Sequence, residues 1–142
     1  MDRHTRLLIL APVGFVVAVT GAGIIAAVGL YGAPGPEHPL GLVLFVAKWM
    51  AILAGIFAFF PWAFAAMFAA IFGFRSPAYW LAVGCGIGAA GYLWGGLPAD
   101  GPDSYALAIH ILAGLAAGLL FWLIGVRVGG LGNSRLAADN LE

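Results

Sequence analysis

Charge is scarce in this sequence. Charged residues make up 8% of its 142 residues, whereas hydrophobic residues make up 63%. Ordinary soluble domains carry roughly 25% charged residues, so this chain lacks the polar groups needed to cover a surface in water. Its formal net charge is zero and it has no basic patch, which argues against nucleic-acid binding. The composition predicts one domain embedded in lipid.

Residues that commonly carry chemistry are also few. The single cysteine, Cys85, excludes an intrachain disulfide and CxxC chemistry, and it is interpreted as a small buried hydrophobic residue. No acidic residue lies within an apolar run, which argues against a familiar proton-coupled transporter. Phosphate-binding loops, serine–base arrangements and the usual metal-ligand spacings are missing as well. We therefore expect no catalytic residue, no cofactor and no metal site.

Long apolar segments are what the sequence does contain. They cover residues 7–31, 40–74, 76–97 and 104–126. Each reaches the roughly 20 residues that an α-helix needs to cross a bilayer core of about 30 Å, and the alternation of a membrane β-strand is absent. The prediction is an all-α membrane protein with four transmembrane helices in an up-down bundle over residues 1–128, followed by a short polar tail over 129–142.

Short breaks separate these segments. Gly/Pro-rich stretches at residues 32–39 and 95–102 predict loops after the first and third helices. Ser76 followed by Pro77 is typical of a helix start, which places the third helix almost directly after the second. Asp103 or Ser104 is expected to cap the fourth helix.

The distribution of charge predicts the orientation. In a four-span threading, five arginines fall on one side of the membrane, and the two opposite loops contain acidic residues and a histidine but no lysine or arginine. The arginines are Arg3, Arg6, Arg75, Arg127 and Arg135, and the opposite loops hold Glu37, His38, Asp100 and Asp103. The positive-inside rule then predicts a multi-pass protein of the bacterial inner membrane with both termini in the cytoplasm. Tyr79, Trp80 and Trp122 are expected at the inner interface.

Small residues recur four apart on three helices. In lipid, close backbone approach and dispersion contacts hold helices together. The stripes therefore predict tight packing, either within this chain or with a second copy or another membrane protein. They are Gly14, Ala18, Ala22 and Ala26 on the first helix, Gly84 and Gly88 then Gly91 and Gly95 on the third, and Gly114 and Gly118 on the fourth.

The second helix differs because one face carries phenylalanines three or four apart. They are Phe57, Phe60, Phe64, Phe68 and Phe72. We interpret this face as a ridge that meets lipid or the core. The alternative hypothesis is a surface for a cofactor or quinone.

Lys48 is the only charged residue between Glu37 and Arg75. The second segment exceeds the bilayer core by about 20 Å at 1.5 Å per residue, so Lys48 is expected near the outer border, where its ammonium group reaches the interface. The alternative is a buried lysine paired with an outer acid. His110 shares a face with Gly114 and Gly118, and we expect it to point into the bundle as a neutral side chain that hydrogen-bonds across helices.

Several polar residues gather toward the outer side of this threading. They are Lys48, His110, Asp100, Asp103, Glu37 and His38. Two interpretations stay open: a small polar vestibule, or the hydrated end of a helix bundle.

Two stretches resemble small four-helix membrane proteins of alphaproteobacteria. One is "FGFRSPAYWLAVGCGIG" (72–88), and the other is "LAAGLLFWLIGVRVGG" (115–130). The resemblance covers about 33 residues and implies fold and topology only, because that group brings no activity or site residues.

These observations favour a non-enzymatic membrane protein. Its expected role is a structural or accessory component of a membrane assembly. The alternative is a small permease or channel-like subunit that uses the polar vestibule, and the third hypothesis is a haem- or quinone-associated subunit.

Overall fold

The computed structural model describes residues 3–94 and 103–128, with the backbone alone for residues 3–8. The described chain is helical: α1 covers Arg3–Tyr31, α2 Leu40–Phe72, α3 Pro77–Trp94 and α4 Ser104–Phe121. A π-helical segment, Trp122–Val128, continues α4. Asp100, Gly95, the end of the third apolar segment and the tail 129–142 lie outside the described residues.

Local signals explain where the helices begin and end. At the end of α2, Gly73 adopts a left-handed conformation with φ 70°, and the Phe74 N–H donates to the Ala69 carbonyl at 3.0 Å. Glycine terminates helices in this way because it has no Cβ to strain the backbone. Ser76 Oγ accepts a hydrogen bond from the Ala78 N–H at 3.1 Å, and Pro77 is the first residue of α3, which confirms the predicted start.

The four helices form an antiparallel ring that is nearly open on one side. α3 packs closely on α4, and α1 packs on both α2 and α4, whereas α2 and α3 barely touch. Where α2 and α3 do meet, the Tyr79 hydroxyl donates to the Ala65 carbonyl at 2.8 Å, and the rings of Phe57 and Trp94 lie 5.7 Å apart.

The contact between α3 and α4 depends on glycine. A Cβ at Gly84 would overlap the Gly114 carbonyl oxygen, and a Cβ at Gly118 would overlap the Trp80 carbonyl oxygen. A Cβ at Gly88 would overlap the His110 carbonyl oxygen. The two backbones therefore touch directly, which is how helices associate where no hydrophobic effect drives them together. The small-residue stripes on these faces are used within the chain.

The core lies toward the end of the ring at which α2 stops and α3 starts. Trp80 is 1% exposed and Phe121 is 2% exposed, with ring centroids 4.6 Å apart, and the core cluster includes Ala18 and Ala69. Trp80 is therefore a core residue and does not face the surroundings as aromatic residues of a membrane interface do. Small residues on α1 and α2 leave room for this indole, so it packs inward while the neighbouring Tyr79 reaches α2.

Three helical stretches are long and apolar enough to cross a membrane: Ile9–Tyr31, Leu40–Phe72 and Ser104–Val128. The third helix, α3, has 18 residues and contains four glycines and four aromatic residues, which lower its mean hydropathy. The fold is thus all-helical in the described residues, with three helices capable of spanning a membrane.

Candidate functional site

Lys48 lies on the outward side of α2. Its ammonium nitrogen is 5.7 Å from the centroid of the Phe45 ring and 5.5 Å from that of Trp49. Both distances are within the range of cation–π attraction. Among the described residues no carboxylate forms an ion pair with Lys48, so the buried lysine–acid pair is not observed in this part of the chain.

Lys48 also lines a groove between α1 and α2, which we call the α1–α2 groove. The groove has a volume of about 800 Å³ and runs from Leu44 and Ile24 at one end to Phe60 and Phe15 at the other. Apart from Lys48, its lining carries one polar side chain, Thr20, whose hydroxyl donates to the Val16 carbonyl at 2.8 Å. The groove is therefore apolar with a single cation.

His110 lies half-buried on α4, on the face toward α3. Its Nδ1 is 2.7 Å from the Ala106 carbonyl oxygen, one turn back on the same helix. A carbonyl only accepts hydrogen bonds, so Nδ1 carries the proton in this contact. The prediction of a hydrogen bond from His110 across the helices is wrong for the described residues. Across the interface with α3, His110 makes an edge contact with the Tyr92 ring, at a centroid distance of 5.6 Å.

Asp103 has a structural role at the start of α4. Its carboxylate accepts a hydrogen bond from the Tyr105 N–H at 2.9 Å, which confirms it as the capping residue. Its own N–H donates to the Tyr92 hydroxyl at 2.7 Å. These two bonds tie the start of α4 to the end of α3.

Glu37 and His38 lie in the loop between α1 and α2. Glu37 is exposed, and the His38 carbonyl accepts a hydrogen bond from the Gly35 N–H at 2.9 Å, which closes a turn within the loop. Asp100 is outside the described residues. The α1–α2 groove that holds Lys48 is lined by neither His110 nor Asp103 nor the two loop residues. The structure therefore does not bring the described members of the predicted vestibule together in this groove.

The described residues offer no cluster of metal ligands. Within residues 3–94 and 103–128, no group of three histidine, cysteine, aspartate or glutamate side chains is placed to hold a metal ion. Cys85 is half-buried and unpaired in α3.

The phenylalanine face of α2 points outward. All five side chains are exposed, from 47% at Phe68 to 69% at Phe60. They are therefore not a core ridge, because the core side of α2 is made of alanines such as Ala58, Ala65 and Ala69.

A second outward face, on α3, is not among the features predicted from the sequence. Ala82, Gly86 and Ala90 lie four apart on α3, and all three are exposed. A Cβ at Gly86 would meet no atom within 4 Å. The spacing was visible in the sequence, but it could not be distinguished from the neighbouring Gly84 and Gly88 stripe until the packing of α3 was known.

We compared the chain with models of known protein families, with curated proteins and with solved structures, and found no match. The resemblance to small alphaproteobacterial membrane proteins stays a prediction.

Proposed function

We propose that this chain is an integral protein of the bacterial inner membrane that spans the bilayer four times, with both termini in the cytoplasm. The helix α3 supports a fourth span, since its 18 residues reach about 27 Å at 1.5 Å per residue, close to the core thickness of about 30 Å. Arg75 and Arg127 lie at one end of the ring, and Glu37 and Asp103 at the other, in agreement with the positive-inside rule.

Within that membrane, the proposed function is a structural or accessory component of a membrane assembly, without catalytic activity of its own. One observation carries this proposal: the exposed small-residue face of α3, formed by Ala82, Gly86 and Ala90. Such a face lets a partner helix approach the backbone closely, and in lipid this contact is a main source of helix association.

The stripes that contain Gly84 and Gly14 are already covered, whereas this face is open, as is Gly91 on another side of α3. Gly84 and Gly88 are covered by α4, and Gly14 lies against Gly125, where a Cβ would be 3.2 Å from the Gly125 nitrogen. Gly86 points away from all of these contacts. The partner is either a second copy of this chain or another membrane helix.

The permease and the haem- or quinone-associated subunit are the two other hypotheses. The α1–α2 groove that Lys48 lines is not lined by His110, so this groove does not support the polar vestibule of the permease hypothesis.

Photo-crosslinking in native membranes tests the proposal. A benzophenone amino acid placed at Leu93, which is 61% exposed and near the small-residue face, should give a crosslinked product of higher mass. The matched control places the same group at Phe64, which is 59% exposed on α2. Gly86→Leu should abolish the product from position 93, because a bulky side chain keeps the partner helix away. Equal crosslinking from both positions, or a product that survives Gly86→Leu, contradicts the proposal.

A further inference from the structure

The α1–α2 groove is a long apolar depression between two helices. On the α2 side the groove is lined by small residues four apart, namely Ala47, Ala51 and Gly55, of which the first two also contact Gly23 of α1. Larger residues such as Ile52 and Ile56 flank the groove and are exposed. The groove therefore opens toward the surroundings of the protein along its length. In a bilayer, those surroundings are acyl chains.

The length of the groove fits one leaflet. Lys48 and Phe60 are twelve residues apart on α2, which is about 18 Å along the helix axis. Half of a hydrocarbon core of about 30 Å is about 15 Å. An acyl chain extended from the interface would therefore run from the level of Lys48 down to Phe60.

The groove offers a ligand one cation and almost nothing else that is polar. The Thr20 hydroxyl already donates to the Val16 carbonyl, and Lys48 has no carboxylate partner among the described residues. The Phe45 and Trp49 rings attract the ammonium group but do not neutralise it. Charge complementarity therefore calls for an anion joined to a long hydrocarbon.

We propose that the α1–α2 groove binds one anionic phospholipid, whose acyl chain lies over Ala51 and Gly55 and whose phosphate contacts the Lys48 ammonium group. This inference rests on the membrane placement proposed above. The α1–α2 groove is separate from the proposed partner face on α3, so the two surfaces bind different ligands.

Native mass spectrometry measures lipid binding to this groove directly. The full chain is released from detergent that contains either phosphatidylglycerol or phosphatidylcholine with identical acyl chains. The wild type should retain one phosphatidylglycerol in preference to phosphatidylcholine. Lys48→Gln should weaken phosphatidylglycerol binding about fivefold, the effect of one basic residue at a lipid surface. Phosphatidylcholine binding should change little.

A second variant tests the groove rather than the charge. A Cβ at Gly55 would meet Val19 at an ordinary 3.8 Å, so we expect Gly55→Leu to fold with its side chain in the groove. Gly55→Leu should reduce retention of phosphatidylglycerol. Gly41→Leu on the same helix should not, because Gly41 is outside the groove and a Cβ built on it would meet no atom within 4 Å. Thermal unfolding of each variant in the same detergent checks that the fold is retained.

Arg127→Gln is the matched control for charge, since Arg127 also lies over a tryptophan ring, 5.8 Å from Trp122, but outside the groove. Equal losses for Lys48→Gln and Arg127→Gln mean that any interfacial cation suffices, which overturns the site. A dimer that is lost with Gly55→Leu means that a second copy occupies the groove, which overturns the lipid site as well.

Membrane placement is tested separately by carbonate extraction. If carbonate extracts the chain from membranes, the proposed function fails. A carbonate-resistant chain without lipid preference refutes the lipid site alone.

Discussion

Gly84 of α3 and Gly114 of α4 are in direct reciprocal contact. A Cβ built on either residue would overlap the carbonyl oxygen of the other. The two helix backbones are therefore as close as their carbonyl groups allow. This relationship sets the register between α3 and α4, and it places the Gly86 face outward and the Trp80 ring inward.

Gly114→Ala should destabilise the protein. Its Cβ would meet backbone atoms of α3, which cannot move aside as a flexible side chain can, so we expect a loss of about 1–3 kcal/mol. Reversible unfolding in detergent measures it. Gly86→Ala is the matched control and should stabilise the protein by up to about 1 kcal/mol, since its Cβ meets open space and alanine has a higher helix propensity than glycine. Equal effects at both positions would show that α3 and α4 do not pack in this register.

Tyr79→Phe should loosen the link between α2 and α3. The Tyr79 hydroxyl donates to the Ala65 carbonyl at 2.8 Å, and these helices share few other contacts. The expected loss is about 0.6 kcal/mol, the mean for hydrogen bonds between membrane helices. Tyr31→Phe serves as the control because the exposed Tyr31 hydroxyl has no hydrogen-bond partner among the described residues. If both variants lose the same stability, the Tyr79 bond contributes nothing specific.

Lys48 and His110 should act independently. Lys48 contacts Phe45 and Trp49, whereas His110 contacts Ala106 and Tyr92. The effects of residues without shared partners add within about 0.5 kcal/mol. A double-mutant cycle of Lys48→Gln and His110→Gln, measured as unfolding free energies, checks this. A coupling energy well above that value would revive the shared vestibule.

Cysteine accessibility should report the orientation. In a Cys85→Ser background, Glu37→Cys lies in the proposed outer loop and should react with a membrane-impermeant maleimide added to spheroplasts. Ala78→Cys, exposed at the opposite end, should react only after the membrane is opened. The reverse pattern would place the termini outside and contradict the positive-inside assignment.

Contacts within one helix end were easier to predict from the sequence than contacts between helices. Asp103 or Ser104 was expected to cap α4, and Asp103 does so through a local hydrogen bond from a backbone N–H two residues away. The partner of His110 was not predictable in the same way, since both its own helix and α3 offer acceptors and only the packing decides between them. Arg75 and Trp122, 47 residues apart, are joined by a hydrogen bond of 2.8 Å from the indole to the Arg75 carbonyl. No spacing rule suggests that bond.

By itself, the sequence determined that this protein is made of long apolar helices with glycine- and proline-rich breaks, because helix length and hydropathy depend on neighbouring residues. Only the tertiary structure decided which small residues are covered by a neighbouring helix and which are open. It also decided that Trp80 is buried and that Lys48 borders an apolar groove. The physical reason is that every helix here is apolar all round, so its sequence carries no polar face to show which side meets the core.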